Sequence, residues 1–179
     1  TENHVGGLVG VNYGTVSNSH AACAVSGIQC IGGLAGGLGT TGLISYCYAA
    51  GSVEGAICVG GLVGGNSGPI QNSYATGHVE GTNEWAGGLV GRNYAGSVTN
   101  CYATGSVIGN IHVGGLAGMN YSGRTISNSY STGLVDGNQN VGGLIGENTG
   151  TVNNSYYYRA PDNSIGTSRS HVLGRLDAC

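Results

Sequence analysis

The stretch Val59-Gly-Gly-Leu-Val-Gly-Gly-Asn-Ser-Gly-Pro-Ile-Gln-Asn-Ser-Tyr-Ala-Thr-Gly-His-Val-Glu-Gly81 decides the fold, because the chain repeats its pattern from one end to the other. The triplet Gly-Gly-Leu begins at Gly6, Gly32, Gly60, Gly87, Gly114 and Gly142, at spacings of 26, 28, 27, 27 and 28 residues. A fixed period of this size marks a repeat architecture. The length variation is confined. From the mid-repeat Val16, Ile44, Ile70, Val98 and Ile126 to the next Val25, Val53, Val79, Val107 and Val135 is always nine residues. The extra residues fall near Gly39–Gly42, Tyr94–Gly96 and Tyr121–Gly123, and before Trp85. Insertions collect in surface turns, so these positions mark corners.

Gly, Asn, Ser, Thr, Val and Tyr dominate the unit, which favours short strands and tight turns over helix. No stretch holds ten residues of helical periodicity, and a propeller blade needs roughly 40 residues. The reading is an all-β fold: a parallel β-solenoid of about six coils, ~27 residues each, with three short strands per coil. Stacked at ~4.8 Å, six coils give a height of roughly 29 Å. The solenoid covers 1–158, with repeats starting near 4, 30, 58, 85, 112 and 140; residues 159–179 depart from the pattern and read as a cap or tail.

In such a stack, equivalent residues form columns. Leu8, Leu34, Leu62, Leu89, Leu116 and Leu144 are expected to point inward, as are Val16, Ile44, Ile70, Val98, Ile126 and Val152. Burying each contributes about 1.5–3 kcal/mol. The other parity of the first strand is apolar too: Val5, Ile31, Val59, Ala86, Val113 and Val141, then Val9, Ala35, Val63, Val90, Ala117 and Ile145. Alternation cannot bury both parities in one narrow coil. Either the strand bends at the glycines, or one strip faces outward as a docking surface.

Two Asn columns follow: Asn12, Asn66, Asn93, Asn120 and Asn148, broken by Leu38, and Asn18, Asn72, Asn100, Asn128 and Asn154, broken by Tyr46. Stacked amides can hydrogen-bond along the axis, and Asn suits left-handed corners. Tyr48, Tyr74, Tyr102, Tyr130 and Tyr156 form an aromatic column, with His20 in the first coil. It is read as corner stacking, with a glycan-binding platform as the alternative.

Gly-Gly-Leu-Val-Gly-x-Asn followed by Asn-Ser-Tyr-Ala-Thr-Gly-x-Val-x-Gly resembles the GLUG-motif repeat over roughly residues 4–158. That family occurs in large secreted and surface-attached bacterial proteins, including adhesins and non-catalytic parts of some immunoglobulin-A peptidases. The resemblance implies an extracellular β-solenoid without an active site.

Six cysteines in a secreted chain allow disulfides. Cys30 and Cys58 share a column in adjacent coils and are the candidate bridge. Cys47 and Cys101 share another but lie two coils apart, too far to pair. Cys23 and Cys179 lie near opposite ends and suit only a bond between subunits. Without Cys-x-x-Cys, zinc is not expected.

Glycine contributes 38 of 179 residues, charged residues only 7%, and the formal net charge is −3. Lysine is absent and the five cations are arginines, so lysine Schiff-base chemistry and Walker-type phosphate binding are excluded. So weak a charge predicts no nucleic-acid partner, and no apolar run approaches the ~20 residues of a membrane helix. Glu54 and Glu80 are adjacent in one column, but no Arg or His column faces them, so they read as a solvated edge. His4 and His112 share the column of Cys30, Cys58 and Trp85 without forming a catalytic constellation. Glycosylation sequons stand at Asn120 and Asn153. No catalytic, cofactor or metal residues are expected.

The expected function is a non-catalytic structural segment of an extracellular protein: an adhesin rod, stalk or fibre. Because Thr1 stands where an initiator Met would and the chain enters the repeat in mid-coil, it reads as an excised segment or as a filament subunit stacking head to tail. Glycan binding is the further alternative, and polysaccharide degradation the least supported.

Overall fold

A computed structural model describes residues 4–158. The expected cap or tail at 159–179, Cys179 and Thr1 lie outside the described residues. The chain is a parallel β-solenoid with no helix among the described residues.

Each rung carries four strands, one more than the sequence reading expects. In the third rung these are Val53–Gly60, Val63–Asn66, Pro69–Gln71 and Tyr74–Ala75. Strands at equivalent places pair in parallel and build four sheets, named A to D in that order. Sheets B, C and D have six strands each; sheet A has eight, because its second and sixth rungs are each broken in two. In sheet B, Val9 pairs with Ala35, Ala35 with Val63, Val63 with Val90, Val90 with Ala117 and Ala117 with Ile145. The fourth strand was hidden because Tyr74–Ala75 is only two residues long, too short for alternation to show.

The open question about the two apolar parities is resolved by a bend. The chain turns at Gly61-Leu62, between sheets A and B. Leu62 and Val63 enter one core together with Ile70 and Ala75. Val59 enters a second, smaller core together with Val53 and Val79. That second core is enclosed by sheet A curling on itself: the register slips between Gly55 and Ile57, and a Cβ at Gly55 would meet the Val59 and Ile31 side chains.

Leu34, Leu62, Leu89 and Leu116 are fully buried, as are Ile44, Ile70, Val98 and Ile126. The end rungs are less well covered, although Val16 and Leu144 still pack against the same core. Leu8 is 51% exposed, and Leu144, Val16 and Val152 are only half-buried. Each inner leucine is sealed by leucines above and below, and an end leucine has a neighbour on one side only.

The two Asn columns do different work. Asn66 Nδ2 donates to Asn93 Oδ1, Asn93 to Asn120, and Asn120 to Asn148, each at 2.8 Å, through the interior. Leu38 interrupts this ladder, and Asn12 donates instead to the Leu43 carbonyl. The second column, Asn18 to Asn154, sits at a left-handed corner with φ of 44–55°. Tyr46 takes the same conformation at φ 54°.

Candidate functional site

Among the described residues, all non-glycine residues with positive φ fall into two columns. One is the Asn corner just described. The other is Cys30, Cys58, Trp85, His112 and Asn140, at φ 51–62°. This column lies two residues before each Gly-Gly-Leu. While the leucine column is the same in all six rungs, this one changes in almost every rung.

The left-handed turn presses the backbone of this column onto sheet B of the next rung. A Cβ on Gly64 would stand 2.6 Å from the Cys30 carbonyl carbon, and one on Gly91 the same distance from that of Cys58. The Gly118 position meets Trp85, and the Gly146 position meets His112, in the same way. This is why the third glycine of Gly-Gly-Leu-x-Gly is fixed: no side chain fits between the sheets. Each column residue therefore faces the sheet B residue one rung on.

That offset builds a seam groove of about 320 Å³, lined by His4, Cys30, Cys58, Trp85, Arg92 and Tyr94 among others. Arg92 lies 4.9 Å from the Trp85 ring centre, 4.9 Å from that of Tyr94 and 5.5 Å from that of Tyr121. Its charge is held by ring faces, through cation–π attraction. One rung further, His112 Nδ1 lies 2.9 Å from Glu147 Oε2 and 3.1 Å from Asn140 Nδ2, and its ring stacks on Trp85. Arg92 and His112 thus both lie against the Trp85 ring. Sequence reasoning noted that His4, His112, Cys30, Cys58 and Trp85 share a column. It did not find the left-handed conformation or the partners on sheet B. Asn140 in the same column was the available signal.

The candidate disulfide is not formed in the structure. Instead the thiols of Cys30 and Cys58 are hydrogen-bonded, and that bond, with burial, pushes the Cys58 thiol well above its usual range, while Arg92 opposes the shift. Cys47 and Cys101 are buried two rungs apart with Ser73 between them, and do not pair. Their column is a serine–cysteine column: Ser73 Oγ accepts the Cys47 N–H, and Ser129 Oγ accepts that of Cys101. Burial pushes the Cys101 thiol up to about 11.

The tyrosine column forms a stack. His20, Tyr48, Tyr74, Tyr102 and Tyr130 lie face to face, at 4.7–5.1 Å and within 6° of parallel. In the middle of the stack each ring covers the faces of its neighbours. Burial, with Tyr74 and Tyr130 beside it, raises the Tyr102 hydroxyl above its ordinary value. Tyr156 continues the column in register with Tyr130. Glu54 and Glu80 pair in register on an exposed strip of sheet A that continues to Ile108 and Asp136. Of the two sequons, Asn120 is wholly buried in the amide ladder and Asn153 is exposed.

The family model described as "The GLUG motif" matches residues 27–54, 55–80 and 83–108. Halomucin of Haloquadratum walsbyi is 56% identical over 89 residues, half of this chain. Those residues are 1% of halomucin, so the chain spans only a small fraction of that relative. No solved structure matches. The chain thus carries three successive GLUG motifs, lying on rungs whose columns stack in register.

Proposed function

We propose that this chain is a non-catalytic structural segment of an extracellular or cell-surface protein, serving as a stiff spacer within a rod or stalk. The observation that supports it best is the uniformity of the stack. Nearly every interior column repeats from rung to rung, and each rung bonds only to its neighbours, so the fold holds its two ends a fixed distance apart. The repeat family and the halomucin match favour a surface setting. The acidic pair Glu54 and Glu80 lies on an open strand face, which favours a solvated edge over a catalytic cleft. Self-association end to end is a second reading, favoured by the in-register parallel strands, which can accept a further strand along the stacking axis.

Antibodies against the purified chain test the setting. Labelling of intact, non-permeabilised cells of the source organism, or recovery from the medium, is expected. Signal that emerges only after cell lysis overturns the reading. Sedimentation at micromolar concentration separates the two assembly modes: a concentration-independent monomer removes end-to-end association, and a rising series of oligomers supports it.

A further inference from the structure

We propose that Cys30 and Cys58 form an oxidisable pair whose disulfide staples the second rung of the solenoid to the third along the seam. The register places them. Gln29 pairs with Ile57 and Ile31 with Val59, so Cys30 and Cys58 face each other on adjacent strands. Such strands lie ~4.8 Å apart, inside the ~4.4–6.8 Å window that a disulfide spans. Both residues are left-handed, at φ 51° and 56°, so their Cα–Cβ bonds leave the sheet in the same direction. Their thiols already touch through a hydrogen bond, and both line the seam groove, which gives a small oxidant access. Cys47 and Cys101 lack this combination, being buried and separated by Ser73.

The chemistry is thiol–disulfide exchange with a low-molecular-weight disulfide such as oxidised glutathione. Cys30 is the more accessible of the two, and the Cys58 thiol keeps its proton more tightly. The Cys30 thiolate attacks one glutathione sulfur. The glutathione S–S bond breaks, and one glutathione leaves as thiolate. Cys58 then gives up its proton and attacks the Cys30 sulfur of the mixed disulfide, expelling the second glutathione. Two protein thiols are oxidised and one glutathione disulfide is reduced to two thiols. The product closes the loop from Cys30 to Cys58 and removes freedom from the unfolded chain.

The test treats the full chain with oxidised glutathione, isolates the monomer and maps its peptides without reduction. The expected result is one cross-linked peptide pair holding Cys30 and Cys58, with a mass lower by two hydrogens. A thermal midpoint higher by about 5–10 °C, reversed by dithiothreitol, should accompany it. Cys30→Ser and Cys58→Ser should each abolish the cross-link and the shift. Cys30→His and Cys58→Asn use residue types the column already carries and provide the same comparison if serine is not tolerated. A stable glutathione adduct on Cys30 with Cys58 still alkylatable after unfolding overturns the proposal, as does a midpoint shift that survives in both variants.

Discussion

At the scale of single residues, neighbouring glycines with the same sequence context have opposite tolerance. A methyl group on Gly64 would meet backbone atoms of Cys30, Ile31 and Gly36 at 2.6–2.7 Å, whereas one on Gly65 meets only the Cys30 sulfur, at 3.6 Å. Gly64→Ala is expected to cost at least about 1–3 kcal/mol in denaturant titration, because sheets A and B must separate. Gly65→Ala should stay within about 0.5 kcal/mol of the parent. Cys101 supplies a pH signature. Burial raises its thiol from 9.0 to about 11, so above pH 9 the unfolded chain releases this proton before the folded one does. Stability from this group is therefore intact below about pH 9 and falls by about 2–3 kcal/mol as pH rises toward 11. Cys101→Ser, which matches Ser73 and Ser129 in the same column, should make the alkaline decline shallower when unfolding is followed across that range.

At the scale of the strand and its column, the interior ladders carry unequal loads. Asn93 both accepts from Asn66 and donates to Asn120 where no water reaches. Asn93→Leu leaves two buried amide groups unpaired, and an expected loss of about 2–5 kcal/mol follows. Asn12→Leu, at the end where the ladder is already interrupted by Leu38, should cost markedly less in the same titration. The leucine column makes a parallel case. Leu62→Ala should cost about 2–5 kcal/mol. Leu8→Ala should cost below about 1 kcal/mol, since half of that side chain is already in water.

At the scale of the whole molecule, stability is a sum over rungs and their interfaces. Removing residues 63–89, one period from the Leu62 position to the Leu89 position, joins equivalent points of the stack. The shortened chain is expected to remain folded, with an unchanged circular dichroism signal per residue and a lower denaturation midpoint. Removing 63–76 instead sets leucines under tyrosines and should abolish the cooperative transition. If both deletions behave alike, vertical register is not what holds the fold.

The sequence by itself determined the period, the parallel stack and the identity of the inner columns. These follow from repetition: equal spacing places like beside like, whatever the path of the chain within a rung. Leu34, Leu62, Leu89 and Leu116 were legible for that reason, and so were the tyrosine stack and the adjacency of Cys30 and Cys58. Only the tertiary structure decided the path within the rung. The second core, the fourth sheet and the seam all depend on the turn at Gly61-Leu62 and on left-handed backbone at Cys30, Cys58, Trp85 and His112. Those side chains give little local signal for that conformation. It is imposed by the close approach of one rung's backbone to a glycine of the next, a contact set by packing rather than by local preference.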